Sequence, residues 1–335
     1  MNTELLPVTE ESLNKAGELI RAGQLVAFPT ETVYGLGADA LNEEAVRSIF
    51  AAKGRPQDNP LIVHISDRGM LDTLCEVNPM AEKLMNAFWP GPLTLLLPKR
   101  NVPDTTTAGL RTVGVRMPGN KAALDFIRAC RVPIAAPSAN LSGRPSPTTA
   151  LHVFEDMTGR IPLILDGGDC RFGVESTVCD CSGDTPTVLR PGAVTAEMIA
   201  EVCGESAVSD AVMRPLQEGE SAPSPGMKHR HYAPKGRMTL YVGENTPAVI
   251  RPLYLKETNA CILCHEQNLP SYEGLRAYSL GSTPAEAAHL LFDLLRRMDE
   301  EKISRIFAEG WKAEGEALAV MNRMARAAAF DIVEV

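Results

Sequence analysis

Apolar positions along the chain recur with two periods, and the changes between them outline alternating helices and strands. Residues 10–22 have helical spacing. Leu13, Ala16, Leu19 and Ile20 fall on one side, and Gly23 ends the helix. The apolar run 25–28 predicts a buried strand. Pro29 stops it, because proline has no N–H to give to a ladder. A helix is expected over 43–52, with Val46, Ile49 and Phe50 apolar, and a strand over 61–65. Further helices are expected over 68–76, 79–88, 120–130, 149–157 and 195–203, with strands at 93–97, 113–117, 162–165 and beside 134, 174 and 188. This alternation predicts an α/β domain built on a mixed, twisted sheet.

Residues 205–236 break the pattern with a proline- and serine-rich linker that carries Lys228, His229, Arg230, His231 and Tyr232. From 237 the alternation restarts. Strands are expected at 238–242, 260–263, 275–279 and 304–308, and helices at 284–298 and 316–329. That is a three-layer α/β module of ordinary domain size. The expected organisation is therefore 1–205, a linker over 206–236, and 237–335.

Composition narrows the classes. With 335 residues the chain is long enough for two domains, and 44% apolar against 22% charged residues is an ordinary globular profile. The formal net charge is −9, and acids outnumber bases in both 1–236 and 237–335. The surface as a whole is thus not built to hold a nucleic-acid backbone, although a local basic pocket for phosphate remains open. The N-terminus lacks a signal peptide's basic start and apolar core, and no apolar run approaches a membrane span. A cytoplasmic protein with reduced thiols is expected. Cys261-Ile-Leu-Cys264-His265 matches a haem-attachment pattern, but it lies inside an apolar run, where buried strand cysteines explain it better. His229-x-His231, without nearby carboxylates or thiols, is a weak metal motif.

Four stretches carry candidate chemistry. Phe28-Pro-Thr-Glu-Thr-Val-Tyr-Gly-Leu-Gly37 crowds Thr30, Glu31, Thr32 and Tyr34 after a strand end. Its glycines suit an unusual backbone angle or a close approach to a ligand. Lys53 and Arg55 lie two apart on a short loop. They suit a polyphosphate, although on this loop alone a solvated helix C-terminus is the safer reading. By the two-residue strand period Thr112 and Arg116 share a face, and an inward arginine is costly unless it meets an anion. Pro137-Ser-Ala-Asn-Leu-Ser-Gly-Arg-Pro-Ser-Pro147 is small, polar and stiffened by prolines after a buried strand.

Taken in order, FPTETVYGLG (28–37), AKGRPQDNPLIVHI (52–65), WPGPLT (89–94), VGVRMP (113–118), PIAAPSAN with SGRPSPT (133–148), FGVEST (172–177), LRPG (189–192) and SPGMKHRHYAP (224–234) strongly resemble the Sua5/YrdC/YwlC family in its long Sua5 form. The resemblance spans most of residues 24–234. It implies a YrdC-like twisted α/β sheet with a positive concave cavity, followed by a Rossmann-like C-terminal domain. It further implies synthesis of L-threonylcarbamoyladenylate from L-threonine, bicarbonate and ATP, with release of pyrophosphate. That product feeds the threonylcarbamoyl group on adenosine 37 of tRNA through separate transferase proteins.

Carried over by motif, Lys53, Arg55, Ser138 and Asn140 form the family's KxR and SxN signature. The resemblance assigns Thr32, His64, Arg116, Ala136 and Ser176 to L-threonine. It assigns Arg55, Asn59, Thr112, Ser138, Ser146, Arg190 and Tyr232 to ATP or the adenylate. Lys53, Arg55 and Arg190 are expected to supply cations for the phosphates in the absence of the pattern GxxxxGK[ST]. Mg²⁺ is expected through those phosphates, without a dedicated protein cage. No Ser-His-Asp or Cys-His nucleophile is evident, so positioning and electrostatics should dominate. Linker residues 221–234 are expected to close as a lid, with Tyr232 over the nucleotide. Three other readings stand beside this one. One is an RNA-binding module, with at most weak tRNA contact given the charge. The second is a carbamoyl-transfer enzyme of the hydrogenase-maturation type, whose zinc-finger and acylphosphatase parts do not occur in this chain. The third makes the C-terminal domain a partner-binding surface.

Overall fold

The computed structural model describes residues 2–214 and 232–335. The His229-x-His231 motif and residues 221–231 of the expected lid lie outside the described residues.

The first sheet has eleven strands. In spatial order they are Glu4–Pro7, Leu163–Asp166, Val26–Phe28, Gly35–Asp39, Ile134–Ala136, Ile62–His64, Thr112–Arg116, Leu93–Pro98, Thr177–Asp180, Thr187–Arg190 and Ala207–Val208. Parallel and antiparallel pairs are mixed, as the alternation predicted. The sheet runs three residues past the expected boundary at 205.

Helices pack where their apolar stripes predict. Glu10–Arg21 starts with a capping box at Thr9 and Ser12, buries Ala16 and Ile20, and packs with Lys121–Cys130 on one side of the sheet. Glu43–Lys53 has Asn42 as its N-cap and ends at Gly54, whose φ of 61° lies in the left-handed region. That cap turns the chain sharply and sets Lys53 and Arg55 on different sides of the loop's base.

The sequence suggested an unusual backbone angle or a close approach to a ligand for Gly35 and Gly37, whereas they lie inside a strand and neither has a positive φ. Their reason is close packing. A Cβ on Gly35 would stand 2.9 Å from the Phe28 ring, and one on Gly37 would stand 2.9 Å from Ile134 Cγ2.

The C-terminal sheet is all parallel, in the order Ala277–Ser279, Ala260–Cys264, Arg305–Gly310, Arg237–Val242, Ile332–Glu334. Alternation sends Met238, Leu240, Cys261, Leu263, Ile306 and Ala308 to helices Pro284–Glu300 and Ala317–Ala327. Tyr241, Ile262, Cys264 and Phe307 go to the opposite face, under helix Thr246–Tyr254. This is the three-layer module expected, with Cys261 and Cys264 as buried free thiols. Helix Thr246–Tyr254 escaped the sequence reading because it carries Pro252 inside, near its last turn.

The two domains share a buried seam. Arg296, from the C-terminal domain, bonds Asp156 at 2.8 Å and the Pro145 carbonyl at 2.7 Å. His152 Nε2 lies 3.3 Å from Asp293 across the same seam. Among the described residues, no helix is long and apolar enough to cross a membrane.

Candidate active site

The site begins as one face of the central strands. Ile62 pairs with Gly114 and His64 with Arg116. On the other side Leu96 pairs with Gly114, and Pro98 with Thr112. Side chains alternate along a strand, so Thr112, Gly114 and Arg116 share this face with Ile62 and His64. The face is polar at the Arg116 end, where the Thr94 and Ser176 hydroxyls lie 2.8 Å apart. In its middle Ile62, Leu96, Val178 and Leu189 form a small apolar shelf. Gly114 keeps the shelf flat, since a Cβ there would already stand 3.2 Å from Leu96 Cδ2. Thr112 ends the face about 13 Å from Arg116 at the usual rise per residue.

Arg116 is the anchor of the polar end and is 3% exposed. Its Nη2 donates to Glu31 Oε1 at 2.6 Å, its Nη1 to Thr32 Oγ1 at 2.9 Å, and its Nε to the Gly91 carbonyl at 3.2 Å. Thr32 is held in turn by Thr30 at 2.8 Å. Burial pushes the Glu31 carboxyl up, but the Arg116 charge and hydrogen bonds outweigh this and hold it below its usual range. Glu31 Oε2 is buried without a partner. Burial, aided by the Arg116 charge, pulls His64 down to about 3, so its imidazole is neutral at physiological pH. His64 Nδ1 is also buried without a partner.

Lys53 and Arg55, read together in the sequence as phosphate cations, separate in the structure. Lys53 Nζ donates to the Ser138 and Asn140 carbonyls, both at 2.5 Å, and lies 3.4 Å from Asn140 Oδ1. Its donors are thereby spent beneath the loop, out of the cleft. Burial, reinforced by the Arg55 charge, brings its pKa well below the ordinary value. The loop above is tied internally, with Ser138 Oγ donating to Asn140 Oδ1 at 2.5 Å and Asn140 Nδ2 donating to the Leu141 and Arg144 carbonyls at 2.8 Å.

Arg55 instead lines the cleft, with Nε and Nη2 buried and unpartnered. Arg190 lines it too, and donates to the Ser176 carbonyl at 3.0 Å and to its Oγ at 3.1 Å. Burial pulls both guanidinium groups down to about 10, so both remain charged at neutral pH. A buried guanidinium edge without a hydrogen-bond acceptor is costly, and an arriving oxyanion would supply one.

The space between the atoms that line the cleft, open solvent included, is about 640 Å³. The cleft gathers Thr32, Arg55, His64, Arg116, Ala136, Ser138, Asn140, Ser146, Ser176, Arg190 and Tyr232 from the sequence-predicted set. Three residues of that set lie elsewhere. Lys53 is beneath the Ser138–Asn140 loop, Thr112 is at the far end of the shelf, and Asn59 is fully buried with both amide atoms unpartnered. Tyr232 is 5% exposed, adopts a left-handed φ of 62°, and stacks on Phe292 of the C-terminal domain at 5.0 Å.

Sequence reasoning noted Glu31 without giving it a role, and missed the Gly91 carbonyl and Glu175. Each sits inside a quoted motif, but only the fold shows that Glu31 and Gly91 orient Arg116. Glu175 lines the cleft and accepts from Ser146 Oγ at 2.5 Å.

Two family profiles match the chain. The Sua5/YciO/YrdC profile, described as "telomere recombination", covers residues 18–192. A profile described as "threonylcarbamoyl-AMP synthase, C-terminal domain" covers residues 194–329. The threonylcarbamoyl-AMP synthase of Pyrococcus abyssi is 47% identical over 98% of this chain and 97% of its own length. The protein of that name from Bacillus subtilis is 44% identical over 97% of this chain and 95% of its own length. A crystal structure of P. abyssi Sua5 complexed with L-threonine superposes with a TM-score of 0.90 at 44% identity, covering 100% of this chain and 99% of that one. The chain belongs to the Sua5 branch of the Sua5/YciO/YrdC family.

Proposed function

We propose that the cleft is the active site of an L-threonylcarbamoyladenylate synthase, which joins L-threonine, bicarbonate and ATP and releases pyrophosphate. The observation that carries this assignment is the buried, unpartnered edge of Arg55 on the wall of a cleft that Arg190, Arg116, Thr32 and His64 also line. One end of the cleft asks for an oxyanion, the other for a small polar substrate, and an apolar shelf joins them to Thr112. Full-length relatives that carry the synthase name agree with that reading.

In this scheme Arg116 holds the threonine carboxylate, its plane fixed by Glu31 and the Gly91 carbonyl. Thr32, Ala136, Ser176 and neutral His64 enclose the rest of the amino acid. The threonine nitrogen forms a bond to the bicarbonate carbon with loss of water. A carbamate oxygen then attacks the α-phosphorus, and the bond to pyrophosphate breaks. Arg55, Ser138, Ser146 and Arg190 hold the phosphates and ribose. Thr112, at the far end of the shelf, marks the nucleotide's outer end and Tyr232 covers it, while Asn59, fully buried outside the cleft, has no contact with it. Lys53 and Asn140 keep the Ser138 loop in place rather than touching phosphate.

Among the described residues, no group of three or more His, Cys, Asp or Glu side chains is placed to hold a metal. Glu175, the carboxylate lining the cleft, already has both oxygens engaged. These residues fit Mg²⁺ carried on the ATP phosphates, where it would offset charge on the departing pyrophosphate. In the cell the adenylate would pass to a tRNA-modifying transferase.

Pyrophosphate release is the direct assay, with L-threonine and bicarbonate each omitted in turn. Release that requires both, and is much weaker with L-serine, is the expected outcome. ATP turnover that ignores both substrates would overturn the assignment. Tight, strongly salt-dependent tRNA binding without turnover would favour the RNA-binding module.

A further inference from the structure

Arg323 joins the C-terminal domain to the wall of the cleft. Arg323, on helix Ala317–Ala327, is fully buried. Its Nε donates to Glu175 Oε2 at 2.9 Å and its Nη2 to the Glu175 carbonyl at 3.2 Å. Its Nη1 donates to the Pro191 carbonyl at 2.9 Å, directly after Arg190, and to Asn322 Oδ1 at 2.8 Å. Its guanidinium also lies 5.9 Å from the centre of the Tyr232 ring. The other Glu175 oxygen takes the Ser146 hydroxyl at 2.5 Å. One C-terminal residue therefore ties together the FGVEST strand end, the LRPG turn and the tyrosine that borders the cleft.

Glu175 is a carboxylate in the wall of a cleft whose other charged groups are arginines. Bare, it would repel a triphosphate and stand as an unpaired buried charge, which is among the costliest arrangements a protein can hold. Burial pushes the Glu175 carboxyl up, but Arg323 first and Arg190 second outweigh it, so the group stays ionised. Ionised Glu175 is useful only as an acceptor that fixes Ser146, and only if a fixed cation cancels its charge.

We infer that Arg323 is a positioning residue for the nucleotide: it neutralises Glu175 from behind, fixes Ser146 and the Arg190 turn through it, and makes the C-terminal domain part of the ATP site. This rests on the reading of the cleft as an ATP site. Arg323 does not line the cleft; it acts through Ser146 and Arg190, so its effect falls more on ATP affinity than on the threonine end, which it reaches only through the Arg190 contact with Ser176.

The test uses the full chain, with calorimetric binding of a non-hydrolysable ATP analogue and KM values for ATP and L-threonine. Arg323→Gln should weaken analogue binding and raise the ATP KM by about tenfold or more, while the threonine KM changes by less than about threefold. Arg323→Lys keeps the charge and should recover most of the affinity. Arg323→Gln combined with Glu175→Gln, a neutral pair in the same place, should bind better than Arg323→Gln alone. Asp293→Ala, which removes the acceptor of the His152 contact across the same seam, serves as the control and should leave both KM values unchanged. Equal effects on both substrates, or a double variant no better than the single one, would overturn the inference and leave Arg323 as plain seam packing. If Arg323→Gln does not fold, the comparison of Arg323→Lys with the double variant decides in the same way. Absence of analogue binding by the unsubstituted protein would instead overturn the reading of the cleft.

Discussion

Both domains bury charge at strand ends, and they treat it oppositely. In the N-terminal cleft, Arg55 keeps two nitrogens without partners, and His64 Nδ1 and Glu31 Oε2 are also unmatched. In the C-terminal domain, Glu309 sits at the carboxyl end of a parallel strand, where α/β sheets commonly hold ligands, and is fully buried. Yet its oxygens are satisfied. Oε1 accepts from Tyr272 at 2.6 Å and Thr246 at 2.9 Å, and Oε2 accepts from the His265 N–H at 2.8 Å and Asn268 at 2.9 Å. The cleft gathers several charged or titratable groups with open capacity, whereas the Glu309 carboxylate is saturated by its own domain, and the unmatched C-terminal atoms among the described residues are single ones, His265 Nε2 beside it and Arg296 Nε at the seam. Unmatched capacity gathered around one cleft, more than buried charge as such, marks the reactive site.

The sharpest way to break this contrast is Arg55→Ala. Adenylate synthesis should fall by about 10³-fold, on the scale of losing a preorganised charge contact. Urea unfolding should show no loss of stability, because no hydrogen bond through Nε or Nη2 is broken. A large stability loss with modest kinetic damage would place Arg55 with the structural charges.

Glu309→Ala should do the converse. Four donors, two of them buried, lose their acceptor, so unfolding should cost about 3 kcal/mol less, while the KM values for ATP and threonine stay within about twofold. A collapse of ATP affinity in a folded variant would mean that the C-terminal strand ends also serve a ligand.

The smallest effect separates the two buried histidines. Burial lowers both, but His64 faces the Arg116 cation, which pushes it further, whereas His265 faces Glu309, which pulls it back. Between about pH 3 and pH 6.5 the unfolded chain protonates His64 and the folded chain does not. Stability therefore rises with pH through that window and is lost as pH falls below 6.5, by at most about 1.4 kcal/mol per unit. Urea midpoints at pH 5.0 and 7.5 should differ less in His64→Gln than in the unsubstituted protein. The same substitution at His265 should change that difference less. Equal changes would remove Arg116 as the cause.

Much of this was legible in the amino-acid order. Local pattern is enough for elements whose apolar stripe and caps agree, as in Glu10–Arg21 and Pro284–Glu300. Alternation was enough to put Thr112 and Arg116 on one face, and motif order was enough for the family. Helix Thr246–Tyr254 was hidden because Pro252 speaks against a helix locally while the buried Ile250 holds it in place.

The chain's pattern thus decided its layers, the strand face that forms the cleft and the residue types gathered there. Tertiary structure alone decided how those residues divide the work. Lys53 and Arg55 are two positions apart, yet one is consumed by the loop it supports and the other is left open to the cleft. Glu175 and Arg323 meet across 148 residues of sequence. A side chain's partners depend on which distant backbone reaches it, and hydrogen-bond capacity left over after packing is a property of the whole fold that no local pattern records.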